Sequence, residues 1–176
     1  MPNIILIGFK NCGKSTIGKS LAQKLNYQFT DLDEVIENLY LQKNHKNLAF
    51  REIYKKHGSE YFRNLEFDAL KKLANKKNHV LALGGGTPFN KCNQDIIKKL
   101  GEIIYLQVDS KKLIRRIKQK GIPAFIENKI NPDEEILNLI KSREPLYMAL
   151  ADFVIDNTPD EFNKTIQNII KILNIT

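Results

Sequence analysis

The sequence predicts an α/β protein: a three-layer αβα arrangement around a five-stranded parallel sheet. Two observations lead there. Apolar runs of strand length alternate with longer amphipathic stretches along the whole chain. The polar, glycine-bearing segments fall directly after the apolar runs, at the carboxyl ends of the strands, where open α/β sheets keep their ligands. A length of 176 residues suits one domain spanning 1–176, with room for a core.

The elements follow in order. Residues 3–9 are apolar and read as the first buried strand. Residues 15–25 have helical spacing, with Ile17, Leu21 and Leu25 on one face. A short second strand covers 27–30. Helices are expected over 33–41, 50–57 and 60–75, the last with Leu65, Ala69 and Leu73 four apart. A third strand, 79–83, ends in Gly84, Gly85 and Gly86. Residues 96–100 close a helix, with Gly101 as its C-cap. Strand 102–108, helix 110–119 and the long helix 134–150 come next. A last strand at 152–155 precedes a closing helix over 160–173, with Thr158 and Pro159 as its start signal.

The composition, 42% hydrophobic and 27% charged, is that of a globular chain and excludes a disordered one. No apolar run approaches the ~18 residues that span a membrane. The apolar N-terminus is too short for a signal peptide and reads as strand, which places the protein in the cytoplasm. Cys12 and Cys92 lie in no CxxC pair, so neither a disulfide framework nor a zinc site is expected. His45, His57 and His79 are expected as exposed side chains. The net charge of +8 comes from lysines spread at helix-like positions, the pattern of solvated helix faces; it does not by itself call for nucleic acid. The aromatic residues between Phe50 and Phe62 have helical spacing and are read as core, not as a base-stacking surface. Nothing suggests a large partner surface, so a monomer is expected.

The strongest motif is Gly8-Phe9-Lys10-Asn11-Cys12-Gly13-Lys14-Ser15, a full G-x-x-x-x-G-K-[ST] between a strand and a helix. Such a loop wraps a phosphate chain with its N–H groups, and the positive end of the next helix faces the same anions. Asn11, Cys12, Gly13, Lys14, Ser15 and Thr16 are the expected nucleotide-binding residues. Lys14 would reach the β/γ oxygens, and the Ser15 hydroxyl would ligate Mg²⁺. ATP and Mg²⁺ are therefore the expected co-substrate and cofactor. Asn11 tolerates the positive φ that such a loop asks for, and Cys12 is read as space-filling. Asp31 and Asp33 follow strand two at i and i+2. Asp31 could hold Mg²⁺, through water, and Asp33 could accept or orient an acceptor hydroxyl. The plainer reading of Asp33 or Glu34 is helix-start chemistry.

Three further features lie far apart: Phe62-Arg63-Asn64-Leu65-Glu66, the glycine triplet, and Arg143-Glu144-Pro145-Leu146-Tyr147. Two arginines on one pocket would suit a carboxylate, although an Arg–Glu pair on a helix is by itself usually a surface pair. In their order and spacing the five motifs resemble the shikimate kinase family over nearly the whole chain. The resemblance implies a P-loop kinase fold with substrate-binding helices over about 33–62 and a lid over 118–130. It implies transfer of the γ-phosphate of ATP to the 3-hydroxyl of shikimate. Shikimate would be held by Asp33, Arg63, Gly85, Gly86 and Arg143. Glu66 would brace Arg63, and Arg115 would lie against the adenine, with Arg116 the alternative by one position.

The family's lid carries an arginine before a proline. Here Ile122 precedes Pro123, and Lys120 is expected to supply the missing catalytic cation. A related kinase for gluconate or another polyol acid, or a weakly active nucleotide-binding module, would share the loop, so both stay open at this point.

Overall fold

The computed structural model describes residues 2–121, 130–159 and 161–174. Its elements run β1 (Asn3–Ile7), α1 (Lys14–Leu25), β2 (Gln28–Asp31), α2 (Leu32–Asn44) and α3 (Phe50–Leu73). Then come β3 (His79–Ala82), a 3₁₀ turn (Thr87–Phe89), α4 (Lys91–Leu100), β4 (Gly101–Gln107), α5 (Ser110–Lys120), α6 (Pro132–Leu150), β5 (Phe153–Asp156) and α7 (Phe162–Ile172). The five strands make one parallel sheet in the order β2-β3-β1-β4-β5. This is the expected α/β layout. The expected lid falls mostly on residues 122–129, outside the described residues, as do Ile122 and Pro123. Among the described residues no helix is long and apolar enough to cross a membrane.

β1 is the centre of the sheet, paired with β3 on one side and β4 on the other. All five of its residues are buried, as expected for a parallel strand covered on both faces. Its one polar residue, Asn3, makes three hydrogen bonds. The side-chain amide donates to the Lys76 carbonyl at 2.7 Å and the Leu100 carbonyl at 2.9 Å, and Oδ1 accepts from the His79 N–H at 3.1 Å. One buried side chain thus aligns the starts of β1, β3 and β4, and its polar atoms are matched as burial requires. β1, Ile17 and Leu21 of α1, and Leu65, Ala69 and Leu70 of α3 belong to one continuous core. Burial of this kind contributes about 25 cal/mol per Å² of apolar surface, and it leaves the carboxyl ends of β1, β2 and β3 side by side.

Local expectations are partly kept and partly corrected. The helices expected over 50–57 and 60–75 are both present within α3, joined across a kink. The bend is Gly58, with φ +79° and ψ −180°, a backbone that breaks the helical path. Gly101 is the C-cap of α4, as expected, though not in the left-handed conformation. Its φ of 162° is extended, and it opens β4. Glycine is needed there for closeness: a Cβ would stand 2.1 Å from the Asn3 carbonyl oxygen. His79 is buried, because it begins a strand flanked on both sides, and its Nδ1 lies 2.8 Å from the Lys77 carbonyl. Tyr54 is exposed on the surface of α3, although Phe62 is core. Thr158 does not open the last helix: its N–H donates to Asp156 Oδ1 at 2.8 Å and its hydroxyl accepts from the Asp109 N–H at 3.0 Å. The helix starts later, at Phe162.

The contact at Gly101 makes a prediction. Gly101→Ala drives a methyl group into the backbone of β1, which cannot move without breaking the central ladder. The unfolding free energy in urea should fall by about 3 kcal/mol, the upper range of overpacking costs. A loss under ~0.5 kcal/mol, the scale of an ordinary surface change, would show that β1 and β4 separate freely.

Candidate active site

The loop after β1 turns through three residues with positive φ: Gly8 at +142°, Asn11 at +63° and Gly13 at +106°. Asn11 takes the left-handed conformation that its side chain tolerates. Gly8 is required by crowding too, since a Cβ would meet the Leu106 carbonyl oxygen at 2.8 Å and Cys12 Sγ at 2.9 Å. Cys12 is fully buried and fills the turn. The Lys14 ammonium lies inside the loop, donating to the carbonyls of Gly8 and Phe9 at 2.9 Å each. The loop ends at the N-terminus of α1, whose unpaired N–H groups face the same space.

A residue that the sequence reading missed holds this loop in place. Asn157, just after β5, is buried, and its amide donates to the Cys12 carbonyl at 2.9 Å. Its Oδ1 accepts from the Thr165 hydroxyl at 3.0 Å. A Cβ on Gly13 would sit 2.8 Å from the same amide, so glycine there is what lets the brace approach. Only the distance of 145 positions from Cys12 hid Asn157; its place at a strand's carboxyl end was a usable signal.

The two aspartates take different tasks. Asp31 caps α2: its Oδ1 accepts from the Asp33 N–H at 3.1 Å, while its Oδ2 accepts from the Ser15 hydroxyl at 2.6 Å. Asp31 supplies the N-cap, while Asp33 and Glu34 lie in the first turn, where acids are favoured, and Asp33 Oδ1 approaches Gly84. Burial, with the Asp31 charge adding, pushes Asp33 up to about 7, against the pull of Lys14; Glu66 and Glu37 add smaller upward effects. A carboxyl group near neutrality is suited to taking up and releasing a proton.

The glycine triplet touches the rest of the site, one residue at a time. A Cβ on Gly84 would stand 3.2 Å from Asp33 Oδ1 and 3.7 Å from Glu66 Oε1. One on Gly85 would be 3.3 Å from the Lys10 nitrogen and 3.4 Å from the Gly8 carbonyl oxygen. One on Gly86 would lie 2.9 Å from the Arg63 guanidinium. Arg63 pairs with Glu66, which is almost fully buried and also accepts from the Thr87 hydroxyl at 2.8 Å. Arg143, on α6, lies over two rings, 5.5 Å from the Phe9 centroid and 5.2 Å from that of Phe89. One turn on, Tyr147 donates to the Gly85 carbonyl at 2.5 Å. Burial pushes its phenol pKa up, so it stays a donor, although Arg143 beside it pulls the other way.

A separate groove beside the loop is lined by Asn11, Gly13, Thr16, Arg116, Lys120, Asn157 and Phe162. Arg116, not the exposed Arg115, faces it, and the Arg116 guanidinium donates to the Asn11 carbonyl at 3.3 Å. The neighbouring position is thus the one that meets the loop. Lys120 lies in the same groove, and Lys118 pairs on the surface with Asp133 at 2.8 Å. Lys10 is different. Its ammonium donates to the Gly121 carbonyl at 3.1 Å. Burial and the Arg51 guanidinium bring its pKa down to about 8, with Asp33 opposing.

An anion cradle at the end of the central strand, a carboxylate pair next to it and two arginines beyond define a P-loop kinase for a small acceptor. Comparison with known proteins narrows the class. The shikimate kinase family model matches residues 10–174. The chain is 36% identical to a shikimate kinase of Caldanaerobacter subterraneus subsp. tengcongensis, over 97% of this chain and 95% of that one. It is 38% identical to one from Thermodesulfovibrio yellowstonii, over 92% and 90%. A solved shikimate kinase from Acinetobacter baumannii, in complex with shikimate, superposes with a TM-score of 0.85 at 29% identity, covering 98% of this chain and 93% of that one. The chain belongs to the shikimate kinase family.

The Asn157 brace is testable. Asn157→Ala leaves the buried Cys12 carbonyl and Thr165 hydroxyl without their partner, which should cost about 2 kcal/mol of stability in a urea titration. ADP affinity by calorimetry should fall by about tenfold, or ~1.4 kcal/mol. A stability loss with unchanged ADP affinity would limit Asn157 to holding up the fold.

Proposed function

We propose that this chain transfers the γ-phosphate of ATP to the 3-hydroxyl of shikimate, working as a single-domain, cytoplasmic monomer. One observation carries the reading: Asp33, Arg63 and Gly86 crowd round the strand end that also abuts the phosphate loop. An acceptor held there has its hydroxyl at Asp33 and its carboxylate toward Arg63 and Arg143. Guanidinium groups suit a carboxylate because their N–H fork pairs with both oxygens. Glu66 keeps the Arg63 fork turned, and Arg143 is fixed between its two rings, so neither arginine has to be ordered when the acceptor arrives.

The phosphate loop, with Lys14, holds the nucleotide, and Arg116 and Lys120 line the groove that would take its base or sugar. The Ser15 hydroxyl and the Asp31 carboxylate, hard oxygen donors already 2.6 Å apart, fit Mg²⁺ at the loop's edge. Bound there, Mg²⁺ would supply positive charge against the phosphate chain. In the transfer, the acceptor oxygen forms its bond to phosphorus as the bond to the β,γ-bridging oxygen breaks, and the hydroxyl proton passes to Asp33. Positioning of this kind is the main thing a phosphoryl-transfer enzyme supplies.

The test is ADP release with Mg²⁺ and ATP, comparing shikimate, gluconate and no acceptor. Release that depends on shikimate is expected, and release that depends only on gluconate would overturn the reading. Arg63→Ala and Arg143→Ala should each raise the KM for shikimate by about 100-fold, the range for truncating one side of a desolvated charge pair. Asp33→Asn should lower kcat by ~10²–10⁴, the range for a lost general base, with KM changed far less. Equal kcat for Asp33→Asn would leave Asp33 no part in proton transfer.

A further inference from the structure

Lys10 stands where the two halves of the site meet. It is the third residue of the loop that wraps the phosphates, four positions before Lys14. Its main-chain nitrogen lies 3.3 Å from where Gly85 would carry a Cβ, so the backbone at this position borders the glycine triplet. The ammonium is half-buried and tied to the Gly121 carbonyl, the last described residue after α5. The charged groups that act on it come from two elements: Arg51 at the start of α3, which repels it, and Asp33 at the start of α2, which attracts it. Arg51 also lies close to Gly121, 3.9 Å from where its Cβ would be. A desolvated cation beside a second cation is a costly arrangement unless an anion comes to the same place. The anion delivered there is the one the loop itself holds.

We propose that the Lys10 ammonium contacts the transferring phosphoryl group, as a catalytic cation distinct from Lys14 and Lys120. This rests on the reading above of a kinase that uses this loop and acceptor pocket. Lys14 approaches the phosphates from inside the loop. Lys10 approaches from the acceptor side, where charge on the equatorial oxygens spreads during transfer, and a cation placed there lowers the barrier by stabilising the transition state. Release of the Gly121 carbonyl frees the donor as the phosphoryl oxygen takes its place.

The experiment measures kcat, the KM values for shikimate and ATP, and thermal melting for the wild type, Lys10→Met, Lys10→Arg and Lys120→Met. Wild-type turnover on shikimate tests the underlying reading separately. Given turnover, Lys10→Met should lower kcat at least 100-fold with both KM values within threefold, and Lys10→Arg should recover at least a tenth of wild-type kcat. Unchanged melting separates this from misfolding. Three results overturn the proposal: kcat within threefold of wild type in Lys10→Met, a shikimate KM raised tenfold or more with kcat kept (Lys10 then binds the acceptor's carboxylate), or a loss carried by Lys120→Met alone. If the wild type proves inactive on shikimate, the ratio of affinities for ADP with aluminium fluoride, a mimic of the phosphoryl group in transit, and for ADP alone decides. A tenfold fall of that ratio in Lys10→Met supports the γ-phosphoryl contact, and an unchanged ratio removes it.

Discussion

One hydrogen bond ties the end of the last strand to the first loop: Asn157 Nδ2 to the Cys12 carbonyl. A phosphate loop has few contacts of its own, because its N–H groups must stay free to point inward. Its shape has to be imposed from outside. Three residues with positive φ allow the turn, but allowing a backbone path is not the same as selecting it. Asn157 selects it. It is buried, its own acceptor is satisfied by Thr165 of α7, and the glycine at position 13 makes room for it. The sheet order puts β5 two strands away from β1, with only β4 between, so the brace can reach across the carboxyl edge. The fold thus braces the loop through a residue 145 positions away from it in sequence.

The acceptor side depends on a different constraint, the absence of side chains at Gly84, Gly85 and Gly86. Each faces a separate group: Asp33 with Glu66, the Lys10 and Gly8 backbone, and the Arg63 guanidinium. Glu66, almost fully buried, is matched by Arg63 and Thr87. A buried carboxylate with fewer partners would cost several kcal/mol. Tyr147 ties the Gly85 carbonyl to α6, the helix that also carries Arg143. The position of α6 is thereby tied to the strand end that carries the glycine triplet.

Much of this was legible in the sequence, for physical reasons. Strand and helix periods are local, so element types came through even where ends were off by a few residues. The G-x-x-x-x-G-K-S run encodes its own geometry. What escaped were properties set by distant neighbours. The reason for glycine at 101 is the carbonyl of Asn3, 98 positions away, and the reason for Asn157 is a loop at the other end of the chain. Arg115 and Arg116 differ by one helical step of about 100°, and periodicity on a short, lysine-rich helix did not decide which one faces the loop. His79 looked polar among polar neighbours, yet its strand is enclosed on both sides. Lys10 was hidden in plain view, because the motif leaves its position unspecified.

The start of α2 joins the two halves of the site. Asp31, its N-cap, accepts the Ser15 hydroxyl, and Asp33, two residues on, lies against Gly84. Between them Leu32 is buried and keeps the turn from rolling. A single helical turn therefore presents one carboxylate to the phosphate loop and another to the glycine triplet. Their separation is a property of backbone geometry, and no movement of one layer against another is needed to set it. That matters for a reaction with little covalent chemistry for the protein to do, in which the alignment of donor and acceptor supplies most of the rate. The same turn explains why Asp33 is pushed up to about 7: the helix start holds it away from water and beside Asp31.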